Sequence, residues 1–196
     1  MMPAVENRDV GGNSPSAPSD MSDFWVFGYG SLMWRPGFDH HESVPARLIG
    51  AHRALCVYSW VHRGTRERPG LVLGLDRGGS CRGMAYRVAG DRREAVIDYL
   101  RARELVTNVY IETWRDIRIE GREGRTEQAL TFVVDRSHDQ YAGKLSREAL
   151  LSLVKTGVGR SGINADYVIN TATHIRNLGF TDPILDWLVD RLRQRD

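Results

Sequence analysis

A short run of large apolar residues, Phe24-Trp25-Val26-Phe27, leads directly into Gly28-Tyr29-Gly30-Ser31-Leu32. Aromatic and β-branched side chains pack well on a pleated surface, so the run reads as a buried strand. Gly28 and Gly30 let the backbone turn tightly or approach a ligand closely. A strand entering a Gly-Ser loop exposes backbone N–H groups, which attract anions or a carbonyl oxygen that is gaining charge. Alone, Tyr29–Leu32 is more often a plain tight turn.

The pattern downstream narrows the fold class. Strand character dominates the first half, in Phe24–Tyr29, Arg47–Leu48 into Arg53–Trp60, Leu71–Leu75 and Cys81–Val88. Gly78-Gly79 separates the last two and reads as a hairpin turn. Asp91 with Glu94 three residues on looks like a capping box opening a helix that runs to about Glu104. Val109–Ile119 and Gln128–Val134 read as two more strands across the polar turn Glu120–Thr126. The remainder is helical. Ser146 is available as an N-cap without a full capping box. Asn164 or Asp166 opens a helix to Leu178 that Gly179 ends, and Asp182-Pro183 starts a last amphipathic helix to about Gln194. Strands followed by helices, without strict alternation, point to α+β.

The bulk properties exclude several functions. At 196 residues the chain suits one well-buried core. A formal net charge of +2, with arginines interleaved among Asp and Glu, argues against nucleic-acid binding. No apolar stretch reaches the length of a membrane span, and the N-terminus lacks the apolar core of a secretory signal. Residues 1–22 are rich in Pro, Ser, Asn and Gly and are expected to be a disordered leader to a domain at 23–196; Met21 is an alternative start. Cys56 and Cys81 have no C-x-x-C or zinc-ligand spacing and read as buried, reduced thiols of a cytoplasmic protein. His40 and His41 are adjacent, which makes shared ligation awkward, and no H-E-x-x-H occurs, so no metal is expected. The Gly-rich segment ending at Gly162 lacks the G-K-[ST] of a phosphate loop.

Glu104 is the residue that stands out chemically. Ile97, Leu100 and Glu104 lie at i, i+3 and i+7 on one helical face. A carboxylate ending an apolar stripe is costly unless it is paired or has a task. It is either a base with raised proton affinity or the partner of Arg101 or Arg103. Ser31 lacks a G-x-S-x-G elbow and a His tied to it, which disfavours a covalent nucleophile. Arg63 is either a solvated loop arginine or a bidentate carboxylate grip, and Arg35 is a weaker candidate of the same kind. Tyr167 either places a hydroxyl in a pocket or is an amphipathic core residue. Tyr110 and Trp34 read as core or pocket wall.

Several spaced motifs, in one order, carry a resemblance. Tyr29-Gly30-Ser31-Leu32-Met33-Trp34-Arg35-Pro36 resembles the signature of the γ-glutamylcyclotransferases, specifically their ChaC-type, glutathione-acting branch. His62-Arg63-Gly64-Thr65 with Pro69-Gly70 is similar to the family's second loop, and Gly78–Arg87 to its central strand. Arg103-Glu104 sits where the family carries its catalytic glutamate. Gly159–Asn164 with Tyr167, then Ile175–Gly179, resembles its C-terminal helical segment. The resemblance spans Phe24 to the end.

It implies a small mixed β-barrel flanked by helices. It also implies cyclisation of the γ-glutamyl group of glutathione to 5-oxoproline with release of Cys-Gly. Glu104 would be catalytic; Tyr29, Gly30, Ser31, Leu32, Arg63 and Tyr167 would bind substrate. No cofactor is implied, and no obligate protein partner is evident. Leu105-Val106-Thr107-Asn108 replaces the glycine-containing turn of some members, which leaves the orientation of Glu104 open. Rival readings are a cyclotransferase for another γ-glutamyl compound and a non-catalytic γ-glutamyl-binding sensor. An arginine-rich interaction module is disfavoured by the near-neutral charge.

Overall fold

The apolar run forms β1 (Phe24–Gly28), buried along its whole length. Its alternating side chains serve two cores. Trp25 and Phe27 join one core with Leu48, Leu71 and Ala85, and Phe24 and Val26 join another with Val96 and Leu100. A strand buried on both faces must sit inside a layered structure. The computed structural model describes residues 22–122 and 124–194. The leader expected over 1–22 therefore lies, apart from Ser22, outside the described residues.

Four longer strands complete a closed barrel: β2 (Glu42–Ser59), β3 (Gly70–Val88), β4 (Tyr110–Ile119) and β5 (Thr126–Val134). The order is β1-β3-β2-β4-β5, with β5 returning to β1. The closing pair is parallel, with Trp25 opposite Ala129 and Val26 opposite Leu130, whereas the other pairs are antiparallel. This is the small mixed barrel with helices that the family resemblance implied, within the α+β class that the strand and helix pattern indicated.

One expected turn is absent. β3 runs without a break through Gly78-Gly79, and the hairpin closes at residues 60–69, between Ser59 and its partner Gly70. The two glycines mark a bend instead. Ile49 pairs with Ser80 and Ala51 with Arg77, so Gly50 alone opposes Gly78 and Gly79. All three have positive φ, of 89°, 97° and 70°. A two-against-one bulge of this kind turns a long ribbon around a barrel corner. It also explains why the segments Arg47–Leu48 and Arg53–Trp60 fall on one strand, which ends one residue before Trp60.

The helices are α1 (Arg93–Glu104), α2 (Arg147–Thr156), α3 (Asn164–Asn177) and α4 (Pro183–Arg193). The capping box expected at Asp91 and Glu94 does not form. A single 3-10 turn, Gly90–Arg92, precedes α1, and Arg92 occupies the cap without a side-chain bond. The other caps follow the sequence reading. Ser146 accepts from the Ala149 N–H, and Asp182 accepts from those of Ile184 and Leu185. Past α3, Phe180 N–H reaches Ile175 O and Gly179 N–H reaches Arg176 O, a Schellman end. Between α2 and α3, a two-residue pair, β6 (Val158–Gly159) and β7 (Gly162–Ile163), folds back on itself. Helix α1 covers the barrel through Val96 and Leu100, while Val154, Val168, Ile175 and Leu188 of α2–α4 cover it elsewhere.

Candidate active site

The site begins with a strand edge that has no strand beside it. β1 pairs with β3 only over Met84–Val88, so one edge of β3 near Leu71 and Leu73 lacks a backbone partner. Buried backbone groups need one. Three side chains supply it. Asn164, fully buried at the start of α3, accepts from Leu71 N–H at 2.7 Å and donates to Leu71 O at 2.8 Å. Tyr167, one turn on, accepts from Leu73 N–H at 3.1 Å, and Tyr110 of β4 donates to Leu73 O at 2.8 Å. The gap so framed is a cavity of about 110 Å³. Tyr29, Gly30, Ser31 and Leu32 form one wall. Glu104, Tyr110 and Tyr167, with Val72 and Leu73, form the rest.

The wall after β1 owes its shape to Gly28. A Cβ there would lie 2.9 Å from Leu32 Cβ and 3.2 Å from Leu32 C. Gly30 is not tightly packed: a Cβ would meet only Leu73 Cδ1, at 3.8 Å. Ser31–Met33 forms one 3-10 turn, closed by Met33 N–H to Gly30 O. The Ser31 and Leu32 amides precede that bond and have no acceptor within the turn. The loop's carbonyls are tied down from behind. Tyr86 donates its hydroxyl hydrogen to Leu32 O and Met33 O, and Arg53 Nε donates to Tyr29 O at 2.5 Å. Arg53 is itself nearly buried, paired with Asp182 at 3.3 Å and bonded to Arg82 O at 2.9 Å.

Glu104 is the last residue of α1, with 19% of its side chain exposed. Burial raises its proton affinity, and Arg103, with Nε 3.2 Å away, opposes the rise without cancelling it. The carbonyl end of a helix favours the neutral acid further. Burial also holds Tyr29 and Tyr110 well above the ordinary phenol range, so both keep their protons. Arg101 pairs with Glu112, leaving Arg103 as the only arginine paired with Glu104 among the described residues. Arg103 has wider reach than an ion-pair partner. It donates to Ser31 Oγ at 2.8 Å, Arg35 O at 2.7 Å and Pro36 O at 3.2 Å, and so ties the Ser31 loop to the end of α1.

The orientation of Glu104 is set by the turn that follows. Leu105 N–H still bonds Arg101 O, and Asn108 takes a positive φ of 54°. Asn is one of the few side chains that tolerate this region, so it serves where a glycine would otherwise stand.

Six sequence candidates therefore meet in one cavity: Tyr29, Gly30, Ser31, Leu32, Glu104 and Tyr167. Arg63 does not line it. Its guanidinium lies over the ring of Tyr167, 5.3 Å from the centroid, and donates to Ser161 O at 2.5 Å. The sequence reading missed the strand-edge role of Asn164, which it took for a helix opener, and the loop-bracing role of Arg53. Neither role leaves a local signal, because both partners lie far along the chain.

A carboxylate of raised proton affinity beside protonated tyrosines and loop amides can take and return a proton on a small polar molecule. Ser31 Oγ has Arg103 as its partner, and no histidine lines the cavity. Among the described residues no three His, Cys, Asp or Glu side chains group to hold a metal ion. Cys56 and Cys81 are free and buried, and burial pushes the Cys56 thiol up to about 12. Two wider cavities elsewhere, of about 500 and 630 Å³, contain none of the carboxylate–tyrosine group, so size does not mark the chemistry here.

The sequence profile of the family described as ChaC-like protein matches residues 24–195. The chain is 35% identical over 170 residues to the glutathione-specific gamma-glutamylcyclotransferase of Escherichia coli (strain K12), covering 87% of this chain and 73% of that protein. It is 32% identical over 157 residues to glutathione-specific gamma-glutamylcyclotransferase 1 of Danio rerio, covering 79% and 80%. The fold is similar to that of the gamma-glutamyl cyclotransferase specific to glutathione from yeast, with a TM-score of 0.75 at 20% identity, covering 86% of this chain and 95% of that one. At that identity the structural likeness speaks to the fold alone.

Proposed function

The chain belongs to the ChaC-like protein family, and on that premise we propose that it acts on glutathione as a γ-glutamylcyclotransferase. The observation that carries the proposal is a buried carboxylate, Glu104, of raised proton affinity in a cavity sized for a γ-glutamyl head. The reaction is internal. Glu104 takes a proton from the substrate's α-ammonium group. The freed amine attacks the γ-carbonyl carbon and closes a five-membered ring. The Ser31 and Leu32 amides, with the Tyr167 hydroxyl, whose hydrogen is not used at Leu73, stabilise the oxyanion. The attacking nitrogen releases its second proton to solvent while Glu104 returns the first to the leaving nitrogen and the amide C–N bond breaks, giving 5-oxoproline and Cys-Gly. Nucleophile and electrophile belong to one molecule, so holding the right conformer supplies a large part of the acceleration. Incubating pure protein with millimolar glutathione and assaying both products is the direct test. Binding without turnover would support a sensor instead.

A cavity of about 110 Å³ leaves no room for the Cys-Gly portion, which must extend past Tyr167. Arg63 stands over that ring with one N–H committed to Ser161 O. Its remaining donors suit the distal glycine carboxylate. Specificity constants should therefore favour glutathione over γ-glutamyl-alanine by roughly 10- to 100-fold, the worth of one charge-assisted contact. Arg63→Ala should erase most of that preference. Equal constants in the wild type would widen the substrate class to other γ-glutamyl compounds, and an unchanged preference in the variant would place the grip elsewhere.

Each role in this scheme is filled by protein groups or by the substrate's own amine. Exhaustive dialysis against a strong chelator should accordingly leave the rate unchanged. Loss of activity restored by one added metal would overturn the scheme.

A further inference from the structure

The cavity of about 500 Å³ lies across Leu73 from the Glu104 cavity, and Leu73 lines both. Its size falls in the range of small-molecule sites. The floor is apolar, with Leu55, Leu73, Leu150 and Leu185 all buried. Its charged lining is asymmetric. Asp76 and Arg136 satisfy each other at 2.7 Å, with Tyr141 also bonded to Asp76. Asp182 is taken by Arg53, and His52 bonds Gly78 O. Two cationic heads remain, Arg77 and Lys144; both residues are exposed, and neither head has a partner among the described residues. An apolar floor under two unpaired cations selects an anion that carries an apolar body.

The same cavity also reaches the proposed reaction site through a charged side chain. Arg53 lines it, and its Nε holds the Tyr29 carbonyl at the foot of the loop that walls the Glu104 cavity. We infer that this second cavity is an effector site for a small amphipathic organic anion, whose binding lowers turnover by drawing Arg53 away from Tyr29. An anion arriving beside Asp182 competes for the same guanidinium, so its occupancy distinguishes two states of the loop, as any coupling between sites requires. The turnover part of the inference rests on the function proposed above; the binding part does not.

The probe is 8-anilinonaphthalene-1-sulfonate, an aromatic anion whose fluorescence reports binding. On full-length Glu104→Gln protein, one saturable site is expected, and it should persist in saturating glutathione. Arg77→Glu with Lys144→Glu should weaken it at least ~10-fold, through loss of charge-assisted contacts. Ile184→Trp, which fills the cavity without changing charge, should weaken it similarly. In the wild type, saturating probe should reduce kcat with KM for glutathione unchanged, and the double charge reversal should relieve that inhibition. Displacement by glutathione, equal binding in both variants, or unchanged kcat at saturating probe would each overturn the inference. If glutathione is not turned over while the binding pattern holds, the effector reading falls with the proposed function and the anion site stands.

Discussion

Glu104→Gln is expected to lower glutathione turnover by at least ~10²-fold while substrate affinity stays near the wild-type value, since general-base contributions are of that size. The substitution keeps the shape of the side chain and the walls of the cavity and removes only the proton acceptor. In the wild type, the acid limb of kcat/KM should lie above the ordinary carboxylate range, because burial raises the proton affinity of Glu104. The same shift makes a second, opposite prediction for stability. Above the ordinary value of 4.5 the folded protein binds more protons at this site than the unfolded chain does. The stability that Glu104 contributes is therefore full below that value and drains away as pH rises through the raised one. Glutamine has no such dependence. Thermal midpoints measured from pH 4 to 8 should show the variant gaining on the wild type as pH rises. Near-normal turnover would remove Glu104 from the mechanism. A variant that instead lost ground to the wild type as pH rose would show that pairing with Arg103 outweighs burial.

What could be read from the sequence was what neighbours along the chain decide. Ser146 and Asp182-Pro183 cap α2 and α4 because a short polar side chain reaches amides two or three residues on. The burial of Phe24–Phe27 follows from four large apolar residues with no polar face. The reading failed where a distant partner decides. Gly78-Gly79 has the composition of a hairpin turn, yet with Gly50 opposite it is a bend in a longer ribbon. Asp91 and Glu94 have the spacing of a capping box, but a 3-10 turn takes up the chain before α1 begins. In the site, the loop and Glu104 were legible through motifs. Arg53, which braces Tyr29 from 24 residues away, was not.

Asn164 gives the sharpest case, and its removal is the second large effect expected. A residue that only opens a helix is worth about 1 kcal/mol. Asn164 sits instead beneath α3, where its amide closes both the N–H and the C=O of Leu71. In Asn164→Leu, a side chain of similar size replaces the amide, and two backbone groups of β3 lose their partners with no strand beside them. Each orphaned group costs about 1–3 kcal/mol, so the unfolding free energy should fall by roughly 2–6 kcal/mol. Urea denaturation reads this directly. Activity should fall further than stability alone explains, because Tyr167 rides on the same helical turn and its hydroxyl is held to Leu73 N–H. A loss of 1 kcal/mol or less would return Asn164 to the role of a helix opener and leave the open edge of β3 to be satisfied in some other way.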